Sequence, residues 1–449
     1  MSLNAIQWLL MLGLSGLMFA LSPWAKSAND FFRGSRNEKE PSLFMLTGSL
    51  VISWLFAKSI TNAADLGQQF GLVGTVAYAA YYCSFFVAAY IIYALRTKGG
   101  FKSIHHFLET RYGRGALFLF SLIIAFRLMN EIWSNSIVIG QYFGPQGSRE
   151  YYLAILVFTV LTLAYTMKGG FRSSLFTDML QMMLFVVLLV FVLSFVLPSA
   201  PGGVKTLVSS GSWKLDQGVN LLLVAFLQSI SYPFHDPVMT DRGFISEPVK
   251  ARKAFLAAGF IGIACILLFG FVGILGKVNG LGTPVVAEVS KLFGTSMMLA
   301  INLIMLASAA STIDSTFASS TKLVHLDILK GRNLNVGSGR ITMAILALLG
   351  TLPVFFNPAV LSATTISGTM VLGLAPVFIF WYIDAPKISF YLAVGSGLLA
   401  GICLVFFPLP STWLLSKGKY ADLLTMNVWG TLIAFAGFLV PYYILKRKV

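Results

Sequence analysis

Across 449 residues the chain is 57% hydrophobic and only 11% charged, which leaves too little polar surface for a water-soluble globule. Its formal charge of +15 would suit a nucleic-acid binder, but the basic residues are scattered through short loops and no soluble basic domain exists to carry a patch. Repeated apolar runs of about 20 residues instead require a polytopic protein in a lipid bilayer.

In chain order, hydropathy predicts an all-α membrane protein with about thirteen transmembrane helices. The first, residues 5–24, lacks a basic leading segment and is long for a signal-peptide core, so it is read as a retained extra helix. Spans at 43–73, 76–95, 116–143, 151–167 and 175–197 follow, then 219–240, 254–275, 297–313, 341–356 and 360–383, and finally two C-terminal helices at 388–409 and 428–445. The ten middle spans divide into five and five, over about 43–197 and 217–383. Because five is odd, the halves enter the membrane from opposite sides, as in transporters built from inverted repeats.

Such folds interrupt the first helix of each half near mid-membrane, and two candidate interruptions are visible. In the first half, the stretch from Ser59 to Gly67 sets polar and small residues into an apolar span. In the second, Gln228 to Pro237 contains Pro233 and Pro237, each of which removes a backbone donor. A kinked helix with a satisfied backbone is the simpler reading of either site alone; their matching positions in the two halves favour a functional break. Along the ninth span, Ser308, Ser311, Thr312 and Ser315 share a helix face among small residues. Such a face commonly serves only helix packing, but hydroxyls also suit a hard cation such as sodium, and Asp314 on the same helix favours function. Lys58, Asp65, Arg127, Glu131, Asp178, Asp236 and Asp314 lie within or at the edge of apolar stretches, where ionisable groups are costly and mark pathways for ions or polar solutes.

Of the 32 Lys and Arg, 23 fall in one set of alternate loops, among them Arg36, Lys39, Arg242, Arg447 and Lys448, and 7 in the other. The positive-inside rule then places the N-terminus outside and the C-terminus in the cytoplasm. No Asn-x-Ser/Thr sequon occurs, which favours a bacterial inner membrane over a glycosylated surface. Cys83, Cys265 and Cys403 sit in spans without paired spacing, so neither disulfides nor a cysteine metal site is expected, and no nucleophile with an adjacent base suggests an enzyme.

The first-half break, Phe107-Leu108-Glu109-Thr110-Arg111-Tyr112-Gly113, the segment from Gly169-Gly170 through Thr177-Asp178 to Gln181, and the serine-rich ninth span together resemble the sodium:solute symporter family. That resemblance implies a LeuT-type core in which sodium moving down its gradient drives uptake of a small polar solute by alternating access. It implies a main sodium site at the carbonyls of Thr61 and Ala64 and the hydroxyl of Ser308, with Ala307 standing where a second hydroxyl often sits. A second sodium, present in some members, would use Asp178 and Ser311; Ala307 and Ala310 lack the further hydroxyls, so either Asp314 supplies the missing oxygen or Asp178 is only structural. Candidate solute contacts are Asn62, Asp65, Gln68 and Gln69, then Arg127, Asn130 and Glu131, then Tyr232, His235 and Asp236.

Arg127 and Glu131 stand four apart on one helix, where a structural ion pair is the simpler reading. His235 either titrates near neutral pH or caps the half-helix. The stretch from Asp236 to Arg242 replaces a Gln-rich end found in sugar-transporting members, so a sugar is not assumed. Two other classes remain: a proton-coupled carrier in which the Lys58 amine stands in for a bound cation, and, more remotely, a non-transporting membrane sensor on the same fold.

Overall fold

A computed structural model describes residues 3–34, 40–332, 334–356, 360–407 and 409–446. Of the loop residues counted above, Arg36, Lys39, Arg447 and Lys448 lie outside the described residues. The described chain is helical throughout, with no strand. Leaving short connecting helices unnumbered, its main helices are α1 (Leu3–Leu21), α2 (Leu43–Ile52), α3 (Ala57–Phe70), α4 (Leu72–Thr97), α5 (Arg114–Gln141), α6 (Arg149–Gly169), α7 (Phe171–Val196) and α8 (Asn220–Ser229). They continue with α9 (Pro237–Phe244), α10 (Pro248–Val278), α11 (Thr295–Lys322), α12 (Val336–Thr351), α13 (Val360–Met370), α14 (Leu374–Ile379), α15 (Lys387–Phe406) and α16 (Ala421–Lys446).

Among the described residues ten helices are long and apolar enough to cross a bilayer, and α2 with α3, bent by 57°, makes an eleventh span. The expected count of thirteen is therefore not reproduced as thirteen continuous helices. The two remaining expected spans are broken: 219–240 becomes α8, a short turn and α9, and 360–383 becomes α13 and α14. Proline explains both, since Pro233 and Pro237 withhold donors in the first and Pro376 cannot donate to the carbonyl of Leu372 in the second.

The first interruption is displaced from its expected place. Ser59 to Gly67 is continuous helix, and the chain breaks earlier, at Ser53-Trp54-Leu55-Phe56. The polar residues of α3 are satisfied without unwinding it. Thr61 Oγ1 donates back to the carbonyl of Ala57 at 3.1 Å, while Ser59 and Asn62 both meet the Tyr78 hydroxyl, at 3.0 and 3.3 Å. The break itself contains neither Gly nor Pro and is held from outside: Tyr82 donates its hydroxyl to the Trp54 carbonyl at 2.6 Å, and the Trp54 indole reaches another helix.

α3 packs along α10, closely enough that a Cβ at Gly273 would lie 1.8 Å from the Ala64 carbonyl. α7 packs along α11, α2 against both α7 and α10, and α5 against α11 and α12. The basic loops gather on one face, tied together by Lys168 to the Phe19 carbonyl (2.6 Å), Arg340 to the Met167 carbonyl (2.9 Å), Arg111 to Asp384 (3.2 Å) and Lys330 to Glu109 (2.6 Å). The hydrogen bond from Lys330 holds the Glu109 carboxyl below its ordinary range.

The Gly169-Gly170 pair joins α6 to α7. Gly170 has φ +60°, and a Cβ there would sit 2.4 Å from the Phe31 carbonyl, so only glycine lets the 23–32 segment lie against the turn. Gly170→Ala is expected to cost about 1–3 kcal/mol from backbone strain alone, seen as a lower Tm of the purified protein. An unchanged Tm would show that this contact does not anchor the segment.

Candidate functional site

Both broken spans meet at a buried ion network. Asp236 caps α9, accepting the Met239 amide at 3.1 Å on Oδ1, which leaves Oδ2 free to face the first break. That oxygen accepts the Trp54 indole N–H at 3.0 Å and the Arg127 guanidinium at 3.2 Å. Arg127, on α5, also pairs with Glu131 one turn along, and Glu131 Oε1 lies 2.7 Å from Lys58 Nζ on α3. Lys58 is further held by Ser134 at 3.1 Å and Asn130 at 3.5 Å. Aromatic faces line the group: Arg127 lies 5.3 Å from the Tyr232 ring centre, Lys58 lies 5.0 Å from that of Phe56, and Trp54 meets Tyr232 edge to face at 5.6 Å. Two cations and two carboxylates thus join α3, α5 and α9 at the two breaks.

A second network lies one turn toward the basic face. Asp178 on α7 accepts Ser311 at 2.5 Å on Oδ1; on Oδ2 it accepts Ser49 at 2.6 Å, Ser315 at 3.1 Å and Arg242 at 2.8 Å. Its neighbour Asp314 accepts Tyr165 at 2.8 Å, Thr177 at 2.9 Å and Ser174 at 3.0 Å, and Ser174 and Ser315, 2.9 Å apart, connect the two carboxylates. Arg242 is fully buried, although as one of the basic residues at the end of a span it is expected in a loop. Taken together, the two networks hold Lys58, Arg127 and Arg242 against Glu131, Asp178, Asp236 and Asp314.

The solute candidates divide into two sets. Arg127, Asn130, Glu131, Tyr232 and Asp236 converge with Lys58, while His235 turns its Nδ1 to the Tyr232 carbonyl (2.6 Å) and is not the cap of α9. Asn62 stays beside Tyr78. Farther along α3, Asp65 is exposed, Gln68 donates to the Leu281 carbonyl at 2.7 Å, and Gln69 accepts from Lys419 at 3.0 Å, which puts all three toward the face opposite the basic loops. Ser49, Trp54, Phe56, Tyr82, Ser134, Tyr165 and Arg242 escaped the sequence reading. Only Arg242 left a signal there, as a charge beside Asp241 in an apolar context.

With this geometry in place, residues 42–240 match the model of the sodium:solute symporter family, across both breaks and the Asp178 segment. Over that stretch the chain is similar to the sodium:solute symporter family. Compared with curated proteins, it is 24% identical over 260 residues to a urea active transporter of Saccharomyces cerevisiae, a match that covers 52% of this chain and 34% of that protein. Among solved structures, a Na+-coupled sialic acid symporter is similar at TM-score 0.73 and 15% identity, covering 99% of this chain and 98% of the other. MhsT in complex with L-phenylalanine follows at TM-score 0.58 and 14% identity, covering 94% and 99%. Likenesses at these identities establish the fold alone, a LeuT-type helical bundle.

The displaced break changes where free oxygens lie. Thr61 and Ala64 are inside continuous helix, where the α-helical ladder engages their carbonyls, whereas the carbonyls of Ile52, Ser53 and Leu55 receive no hydrogen bond among the described residues. On α11, Ala307 and Ser308 are fully buried, and the Ser308 hydroxyl has no hydrogen-bond partner among the described residues.

Removing one member of the first network isolates a charge. Glu131→Gln leaves Lys58 and Arg127 to share Asp236 alone and is expected to cost about 3–5 kcal/mol, whereas Lys58→Met with Glu131→Leu, which removes both charges, restores most of the loss. Thermal unfolding of the two variants would measure this, and equal Tm values for Glu131→Gln and the parent would refute the pairing.

Proposed function

We propose that this chain is a secondary active transporter that couples sodium entry to uptake of a small polar solute by alternating access. The observation that carries the reading is the joining of two discontinuous helices at one point, Trp54 of the first break bonded to Asp236 of the second, inside a buried ion network. Such a junction moves when either half moves, which is what coupling an ion to a solute requires. The family match and the sodium-symporter neighbours support sodium as the ion.

The main sodium position follows from helix rise. Ser49 on α2 and Ser311 on α11 both donate to Asp178, so they lie at one depth. Three residues onward along α2 is Ile52, and three residues back along the oppositely directed α11 is Ser308, each about 4.5 Å farther from the basic face at 1.5 Å per residue. The unpartnered Ser308 hydroxyl therefore stands level with the free carbonyls of the break. Hydroxyl and carbonyl oxygens suit sodium, a hard cation, and need no added charge. In this reading Ile52, Ser53 and Leu55 take over the carbonyl role expected of Thr61 and Ala64, with Ala307 as wall.

For the solute, the proposed contacts are Arg127, Glu131, Tyr232 and Asp236 with Trp54, where charges of both signs border aromatic faces. The two halves, 43–197 and 217–383, are proposed as the inverted repeats. The basic face is assigned to the cytoplasm of a bacterial inner membrane, with the N-terminus outside. Lys58, already saturated by Glu131, Asn130 and Ser134, gives little support to the proton-coupled alternative.

A ligand that binds only the folded state stabilises it by mass action, by about 2.7 kcal/mol at 100 times Kd. Sodium is expected to raise the Tm of the purified protein above its value in equal potassium, and Ser308→Ala to weaken that rise. Identical behaviour of the parent in the two salts would overturn sodium coupling.

A further inference from the structure

Resting on the sodium-coupled reading above, we propose that Arg242 is a tethered cation that fills the coordination shell of Asp178 in place of a second sodium ion. Arg242 thereby sets how many ions the carrier binds.

Asp178 offers two oxygens, and both are committed. A short bond from Ser311 takes Oδ1, while Ser49, Ser315 and the guanidinium converge on Oδ2. The guanidinium is equally engaged: Nε donates to Ser49 at 2.6 Å, Nη1 to the Val238 carbonyl at 2.7 Å, and Nη2 to both Asp178 and Ser315 at 2.8 Å. These are the groups that a sodium ion at this carboxylate would need: one anionic oxygen and a ring of hydroxyls drawn from α2, α7 and α11. They instead surround a nitrogen cation carried on α9. A sodium ion brought to Asp178 would meet that like charge within contact distance, inside lipid, where little screens the repulsion. Burial of Arg242 without Asp178 would be equally unfavourable, so each group explains the other's presence in the membrane.

The cation is also tied to a helix, as a bound ion is not. Arg242 lies five residues after Pro237 on the short half-helix that begins at the second break, and Asp236 at the start of that half-helix belongs to the first network. Movement of α9 as the solute site opens therefore carries Arg242 with it, so that the pair with Asp178 tightens or parts in step with the solute site.

The test is a sodium titration, at constant ionic strength against potassium, of Tm for the purified full chain and its variants. Arg242→Gln keeps hydrogen bonding but removes the charge, and is expected to add a second, separately saturating sodium-dependent rise in Tm; Asp178→Asn in the same background abolishes the added rise. Arg242→Lys retains the parent titration. Ser311→Ala, which leaves both charges in place, is expected to titrate within twofold of the parent. A folded Arg242→Gln protein with the parent's titration would overturn the proposal. If Arg242→Gln does not fold, Ser311→Ala decides alone, since a tenfold or greater loss of sodium affinity would make Asp178 and Ser311 sodium ligands in the parent. A parent indifferent to sodium with a responsive Arg242→Gln would defeat the coupling reading but uphold the tethered cation; indifference of both defeats both.

Discussion

An ionised side chain inside hydrocarbon has no water to stabilise it, so its counter-charge must come from the protein itself. The centre of this molecule is arranged by that constraint. Arg127 cannot stand on α5 without Glu131 and Asp236, Lys58 cannot stand on α3 without Glu131, and Arg242 cannot stand on α9 without Asp178. Apart from Arg127 and Glu131, which share α5, the partners lie on different helices or across a break, so satisfying the charges also fixes how the broken spans cross. Asp236 does this most directly: one oxygen caps its own half-helix while the other holds Trp54 and Arg127.

The same constraint explains why the first span breaks where it does. Unwinding exposes carbonyls and amides that lipid cannot satisfy, so a break persists only where side chains or ligands attend to it. At residues 53–56, Tyr82 and Asp236 serve the Trp54 carbonyl and indole. Between 59 and 67 the polar side chains look disruptive in sequence, yet Tyr78 and the Ala57 carbonyl absorb them and the helix runs on.

Small residues complete the arrangement by permitting close approach. Gly273 lets α10 ride against the Ala64 carbonyl, and Gly169-Gly170 lets the 23–32 segment close over the start of α7, next to Ser173, Ser174, Thr177 and Asp178. Serines on α11 then face α7 with nothing bulky between, and the hydroxyls of one helix reach the carboxylate of the other. Close packing and the buried hydroxyl–carboxylate network are thus served by one set of residues.

Composition and apolar run length were enough to establish an all-helical membrane protein, because only helices satisfy every backbone group within a single apolar segment. Eleven of the spans, the proline-rich second break, the one-sided basic loops and the suspect status of Asp178, Asp236, Arg127 and Glu131 were likewise legible, since each is a local departure from apolar composition. The tertiary structure decided what no local pattern encodes. It placed the first break at Ser53–Phe56, where the disrupting groups come from Tyr82 and Asp236, distant in sequence. It separated Gln68 and Gln69 from the other solute candidates by carrying α3 past the centre to the far face. And it turned Arg242 from a loop cation into the buried partner of Asp178, because a side chain's counter-ion is set by which helices pack together, and spacing along one helix does not reveal it.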